Sequence, residues 1–302
     1  MKKIVIFGVG LIGGSFALAL KAANKNPKTG LQIVGVGRSQ ASLQRALALG
    51  IIDTIAASVE EAMADADLVL IAAPVAQTAA ILTSICPYLQ AGTIVTDAGS
   101  TKSDVEAAAR AVLGNKIAQF VPGHPIAGRE SNGPDAAIVD LYIGKKVVLT
   151  PLPENTAEDV AKVAAAWRLC GAIIHQLSPQ QHDEIFAAVS HFPHMLAYAL
   201  VDQIANKSQA DVMFQYAASG FRDFTRIAGS SPEMWRDISL ANRHALLGEL
   251  SVYQAQLMRL RHLLEAGDGA GLEAIYSNAQ QARHDWITAI ESAEKQNKEG
   301  GN

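Results

Sequence analysis

"KIVIFGVGLIGGS", residues 3–15, joins an unbroken apolar run to a glycine-rich turn and then to the start of a second apolar stretch. The run up to Phe7 reads as a strand buried on both faces, and the residues from 12 onward follow the period of a helix. Gly8, Gly10 and Gly13 fall between the two in G-x-G-x-x-G spacing. In a strand–turn–helix unit the first glycine permits the tight turn, the second lets backbone approach a pyrophosphate, and the third lets helix and strand pack closely. The N–H groups opening the helix then face the phosphates. The spacing alone is a weak signal. Here a second β-rich run ends near residue 37, the distance a βαβ unit requires, and Gly8, Gly10, Leu11, Ile12 and Gly13 become candidate cofactor-binding residues.

The same alternation continues outward. Strand-like runs lie at 3–8, 32–37, 67–73, 92–99 and 117–123, with helical patterns near 12–24, 40–49, 75–85 and 102–112. Such alternation implies a parallel sheet covered by helices on both faces. Two later runs, 145–150 and 172–177, flank a helix over 155–169 and are expected to extend that sheet. After "SPQQHDE" (178–184) only helical periodicity remains. The expected fold class is α/β: an N-terminal Rossmann-type doubly wound parallel sheet over 1–177, with an all-α C-terminal dimerisation domain over 178–302. "SSPEMW" (230–235) starts a helix, with Ser231 as cap, Pro232 in the first turn and Glu233 complementing the dipole. Leu246, Leu250, Tyr253, Leu257, Leu260 and Leu264 recur at helical spacing until Gly267, so the helix begun at Ser231 would span on the order of 50 Å. Leu247, Val252 and Leu263 widen its apolar face, so a second copy of the chain is the expected partner, beside the alternative of a bundle within one chain.

Composition narrows the functions. Of 302 residues, 49% are apolar and 18% charged, enough to build sizeable cores. The net charge of −4 and the lack of a basic stretch give no footprint for nucleic acid and little attraction to anionic membranes. No run approaches the ~18 apolar residues of a membrane span. Cys86 and Cys170 stand far apart in apolar or helical contexts and read as reduced, packed thiols. A soluble, cytoplasmic protein without a metal is expected.

The second strand ends in "GVGRSQAS" (35–42), with no carboxylate before Asp53. An acid at this point would bind ribose hydroxyls and repel a 2′-phosphate. Arg38 can pair with that phosphate and Ser39 can donate to it, which favours NADP over NAD. If Arg38 only stacks on adenine, NAD is equally admissible. Two further segments end on the carboxyl edge of the sheet, where open α/β folds bind ligands. "VTDAGSTKSD" (95–104) places Ser100 there, either facing the crevice or capping the next helix. "FVPGHPIAGRES" (120–131) places His124 there between Gly123 and Pro125, with Glu130 six residues on. A neutral imidazole is suited to taking a hydroxyl proton as hydride leaves the same carbon. "HDEIFAAVSHFPH" (182–194) carries His182, His191 and His194. Pro193 interrupts the HxxH pair and no ligand set is completed, so these histidines read as pocket lining and not as a metal site. "GFRDFTRIAGSSPEMWRD" (220–237) gathers Arg222, Asp223, Arg226, Trp235 and Arg236 among aromatics. It reads as an anion pocket, the alternative being a solvated cluster of internal ion pairs.

In "DAGSTK", "GHPIAGRE", "HDEIFAAVSHFPH" and "GFRDFTRIAGSSPEMWRD", in this order, the chain resembles the prephenate/arogenate dehydrogenase family of tyrosine biosynthesis, and the likeness runs nearly the whole length. It implies oxidative decarboxylation of a cyclohexadienol, with hydride passing to NAD(P) and the ring carboxylate leaving as CO₂. It also implies a helical domain that dimerises. Carried over by motif, His124 would hold and deprotonate the C4 hydroxyl, and Ser100 would bond the same hydroxyl and orient His124 and the nicotinamide. Arg226 would bind a substrate carboxylate, His194 would line the side-chain pocket, Glu130 would tune or gate the site, and Trp235 would support its wall. The "GRS" turn departs from members that prefer NAD. Prephenate and L-arogenate both remain open as substrates. Another two-domain dehydrogenase of the β-hydroxyacid type, or a non-catalytic NADP sensor, are the rival readings.

Overall fold

In the computed structural model, which describes residues 1–24, 30–129 and 131–299, Ile4 to Phe7 of strand β1 (Lys3–Phe7) are all buried. Ile4 and Ile6 pack into one core, Val5 and Phe7 into another, the two-residue alternation of a strand covered on both faces. Around β1 the sheet runs β3–β2–β1–β4–β5–β6, all parallel, with β2 Gln32–Val36, β3 Thr54–Ile55, β4 Leu68–Ile71, β5 Ile94–Asp97 and β6 Phe120–Val121. This is the doubly wound order, in which the sequence of strand addition reverses at the boundary between β1 and β4. Helices α1 (Leu11–Ala23) and α6 (Ala157–Leu169) cover the first face, where Phe16, Tyr142 and Trp167 pack ring against ring. Helices α3 (Val59–Met63), α4 (Thr78–Ile85) and α5 (Ser103–Leu113) cover the second. Cys170 is buried in the first core, which pushes its thiol up to about 12; Cys86 is half-buried, and both are free thiols.

Gly8 takes φ +94°, and a Cβ there would meet the Ala72 carbonyl oxygen at 2.6 Å. At Gly13 a Cβ would fall 2.2 Å from the Gly8 carbonyl oxygen. Neither position has room for any other residue, and together they set β1, the turn and α1 at their spacing.

The later strands do not extend this sheet. β7 (Gly123–Pro125), β8 (Lys146–Leu149) and β9 (Ile173–Gln176) form a sheet of their own, β7 antiparallel and β9 parallel to β8. Apolar β runs carry no mark of which sheet they join, because pairing is decided by distant partners. His124 sits in β7 opposite Val148 and so on a hydrogen-bonded frame, not in a loop.

From Pro179 the chain is helical: α7 (Pro179–Phe186), a π-helical turn (Ala187–His191) and α8 (Phe192–Ala205) run on continuously, followed by α9 (Ala210–Gln215), α10 (Ser219–Thr225) and α11 (Pro232–Ala241). The 27 residues of Pro179–Ala205 are long and apolar enough on average to cross a membrane, but polar side chains such as Asp183, His191 and His194 interrupt any continuous apolar run. Ala187, Phe192 and Ala197 of this stretch are buried, and so are the polar His182, Asp183 and His191. Ser231 caps α11 by accepting from the Met234 N–H, with Pro232 in the first turn, as expected. The long run to Gly267 is broken, however. α11 stops at Asn242 and α12 spans Arg243–Ala266, about 36 Å at the rise of an α-helix. α13 (Gly269–Glu299) follows. Contacts divide the chain into residues 1–246 and 247–302, the second unit holding most of α12 and all of α13.

Candidate active site

A cleft of about 490 Å³ opens beyond the carboxyl ends of β1 and β4, a volume suited to a cofactor. Its floor is Gly8 and Gly10 after β1, and its walls are Ala73, Pro74 and Gln77 after β4 and Arg38, Ser39 and Ser42 after β2. A Cβ built on Gly10 meets nothing within 4 Å, so the backbone of the turn is open to a ligand. Leu11 and Ile12 open α1 behind it. Ser39 caps α2 (Gln40–Ala48) by accepting from the Ser42 N–H at 3.2 Å, and the Ser42 hydroxyl donates to it at 3.0 Å. Among the described residues Arg38 is the one charged side chain lining the cleft, and no carboxylate reaches it. Asp53 is held elsewhere, accepting from the Ile33 N–H at 2.7 Å and pairing with Lys21 at 2.7 Å. The glycine turn, the helix N-termini and the cation fit a pyridine dinucleotide.

Beyond the ends of β5 and β6 lies a buried polar cluster. Asp97 closes β5, accepting from the Gly99 N–H at 2.8 Å, from the Gly123 N–H at 3.0 Å and from the Lys102 ammonium. Lys102 also donates to the Gly123 carbonyl at 2.9 Å. This fully buried ion pair ties the 97–102 turn, which carries Ser100, to the start of β7, which carries His124. An ion pair this deep stands only because each member has further hydrogen bonds. Ser100 is half-buried and does not cap α5. Lys102 occupies the cap position without a side-chain bond, and the cap comes from α7. Asp183 accepts from the Lys102 N–H and the Ser103 N–H, each at 2.8 Å.

Asp183 is also 2.8 Å from Nδ1 of His182, and Nε2 of His182 is 2.8 Å from Nδ1 of His124. Phe186 flanks both rings, with centroids at 4.5 Å and 5.0 Å. Burial, reinforced by His182, Lys102 and His191, holds the His124 imidazole well below the ordinary histidine range, so it is neutral at pH 7. Burial lowers His182 too, against the pull of Asp183. At Asp183 burial opposes ionisation, but the bonds from His182, Ser103 and Lys102 outweigh it and its carboxyl lies below the usual range.

His194 stacks on Trp235 at 3.6 Å between centroids, donates from Nδ1 to the Ser190 carbonyl at 2.9 Å, and is lowered by burial and by the nearby Arg226 cation. The carbonyl acceptor fixes the proton on Nδ1 of His194 and leaves Nε2 bare. His191 lies 6.1 Å from Trp235 and is buried. The Asn242 amide donates to the Asp183 carbonyl at 2.8 Å and is 3.1 Å from Nδ1 of His191, which joins the two groups into one network. Nine residues apart on a regular α-helix, His182 and His191 would face about 180° apart; the wider π turn takes up part of that rotation. Glu130 lies outside the described residues. Asp97, Lys102, Asp183 and Asn242 were not singled out by their local sequence. Asp183 alone carries a signal, an acid beside a histidine in a capped first turn. Among the described residues no cluster of His, Cys, Asp and Glu is arranged to hold a metal.

Comparison with known proteins adds an independent line. Residues 16–176 match the family model described as prephenate dehydrogenase, nucleotide-binding domain, and residues 178–278 match prephenate dehydrogenase, dimerization domain. A cyclohexadienyl dehydrogenase of Zymomonas mobilis is 37% identical over 285 residues, covering 93% of this chain and 95% of the relative. A prephenate dehydrogenase of Bacillus subtilis is 36% identical over 282 residues, covering 93% of this chain and 75% of the relative. The crystal structure of Aquifex aeolicus prephenate dehydrogenase in complex with hydroxyphenyl propionate and NAD+ superposes with a TM-score of 0.86 at 34% identity, covering 95% of this chain and 98% of that one.

Proposed function

The chain belongs to the prephenate dehydrogenase family, and from that premise we propose that it oxidatively decarboxylates prephenate, L-arogenate or both, with His124 as the base and NADP as the preferred cofactor. It is a pyridine-nucleotide-dependent dehydrogenase of tyrosine biosynthesis. The products are 4-hydroxyphenylpyruvate from prephenate and L-tyrosine from arogenate, each with CO₂ and reduced nucleotide. The bound nicotinamide supplies the hydride acceptor. His124 takes the proton of the C4 hydroxyl as the hydride leaves C4 and a C4–O π bond forms; when the C–CO₂ bond breaks its electron pair enters the ring, the C4 oxygen takes back the π pair and a proton to become the phenol hydroxyl, and aromatisation drives the loss.

The observation that carries this reading is His124 itself, a neutral imidazole held on β7 at the carboxyl edge of the sheet. Ser100, on the turn pinned by Asp97 and Lys102, bonds the same hydroxyl and orients His124 and the nicotinamide. Arg226, whose charge reaches His194, binds a substrate carboxylate. His194 lines the side-chain pocket, Trp235 backs it as a wall, and Glu130 tunes entry. Gly8, Gly10, Leu11, Ile12 and Gly13 hold the pyrophosphate, while Arg38 and Ser39 hold the 2′-phosphate. We draw the domain boundary at 177/178, with 1–177 binding nucleotide and 178–302 binding substrate and forming the homodimer.

The test is a two-by-two assay of nucleotide reduction: prephenate or arogenate, each with NAD or NADP. His124→Asn is expected to lower kcat by about 10²–10⁴-fold with little change in KM, and Arg226→Ala to act mainly on KM. Full turnover by His124→Asn would sink the assignment of the base.

A further inference from the structure

The hydrogen bonds behind His124 run in one direction, and the direction is set at their far end. α5 provides no side-chain cap of its own, so its opening N–H groups need an acceptor from outside. Asp183 supplies it, with Oδ1 on the Lys102 N–H and Oδ2 on the Ser103 N–H. Both oxygens face donors and the carboxylate is ionised, so it has only lone pairs to offer. Nδ1 of His182, 2.8 Å from Oδ1, therefore carries a proton. A neutral imidazole has one N–H, which leaves a lone pair on Nε2 of His182. That lone pair points at Nδ1 of His124 across 2.8 Å, a distance two lone pairs do not share. Nδ1 of His124 is thus the donor, and Nε2 of His124 is bare.

We propose that His182 and Asp183 are positioning residues that hold His124 in the one tautomer able to act as a base at Nε2. The proposal rests on the reading of His124 as the base and adds what prepares it. Phe186 helps by flanking both rings with an apolar one. The two bonds to α5 keep the Asp183 oxygens from rotating, and the Asn242 amide on the Asp183 carbonyl fixes the backbone beneath them. The arrangement also serves the step that follows. When Nε2 of His124 takes the hydroxyl proton, the positive ring donates through Nδ1 to His182, with the Asp183 anion one residue further on. The Lys102 cation opposes this attraction, and the Asp97 carboxylate paired with it offsets part of that opposition. The sequence separation is wide, since residue 124 meets residues 182 and 183 only in the folded chain.

The experiment uses the full chain with bound NADP and ¹⁵N-labelled histidine. Two-bond ¹H–¹⁵N spectra report which ring nitrogen is protonated, and the His124 signals are assigned by their loss in His124→Asn. A protonated Nδ1 and bare Nε2 on His124 are expected; a protonated Nε2 overturns the proposal. In kinetics, His182→Leu is expected to lower kcat by about 10²–10⁴-fold with the nucleotide KM within about twofold, the scale of a wrong-tautomer histidine in serine proteases. His182→Gln can accept from His124 with its carbonyl and donate to Asp183 with its amide, and is expected to recover most of the rate. Equal losses in the Leu and Gln variants overturn the proposal. If His182→Leu does not fold, the tautomer measured in the unmodified chain decides. A fully active His124→Asn would instead strike the base assignment, whatever the tautomer.

Discussion

Arg38 is exposed at the rim of the nucleotide cleft, and its worth depends on what it meets there. A charge-assisted bond to a phosphate contributes about 1.5–3 kcal/mol, and solvent screening at an exposed site pulls this to the lower end. Arg38→Ala is therefore expected to raise the KM for NADP about tenfold and leave that for NAD within about twofold, in steady-state assays with each nucleotide. Ser39→Asp makes a sharper test. Aspartate is as good a helix cap as serine, so α2 keeps its start, but the new carboxylate repels a 2′-phosphate and accepts from ribose hydroxyls. Preference should swing to NAD. A variant that still preferred NADP would show that the cleft reads the phosphate through other groups.

The continuous helix from Pro179 to Ala205 is the element on which the site turns, and its π turn ends at His191. Burial lowers the His191 ring to about 4, so the folded chain resists a proton that the unfolded chain accepts near 6.5. The unfolded state then binds more protons in this window, and stability falls as pH drops from about 6.5 to 4. This residue alone accounts for about 2–3 kcal/mol between pH 7 and 4.5. Urea unfolding at the two pH values should show that loss shrink in His191→Asn; an unchanged loss would place the acid sensitivity elsewhere. The neighbouring elements show what the sequence could and could not disclose. β1, Gly8 and Gly13 were legible because burial on both faces and steric exclusion act within a few residues. The break at Asn242 was not, since "SLANRHAL" has neither glycine nor proline and the helix yields there to bonds with Asp183 and His191, more than fifty residues away. The Ser100 cap failed for the same reason: α7 caps α5 across the fold. His124 stood out by its place beyond a strand, whereas His182 and Asp183 gained their meaning only from contact with it.

At the scale of the whole molecule, the family match assigns dimerisation to residues 178–278, which include all of α12. Along that helix Leu246, Leu250, Tyr253, Leu257, Leu260 and Leu264 alternate by four and three residues, the spacing of a seam between helices. Leu246 is buried, but Leu257 is 48% and Leu264 66% exposed in the single chain. Leucines at such spacing leave the seam open to a partner, and covering one contributes about 1.5–3 kcal/mol. In a two-fold pair each substitution acts twice, so Leu257→Lys with Leu264→Lys removes four such contributions, roughly 6–12 kcal/mol. That range reaches the free energy of a nanomolar complex, about 12 kcal/mol. Light scattering at micromolar concentration should find the unsubstituted chain at twice its monomer mass and the doubly substituted chain at the monomer mass. The two lysines belong to the 247–302 unit, whereas the cleft and the His124 network are built within the 1–246 unit, so nucleotide binding should survive dissociation. A dimer that persisted with both lysines would move the interface off this seam and onto the exposed apolar residues of another helix, of which Val212 and Tyr216 near α9 are the first to substitute.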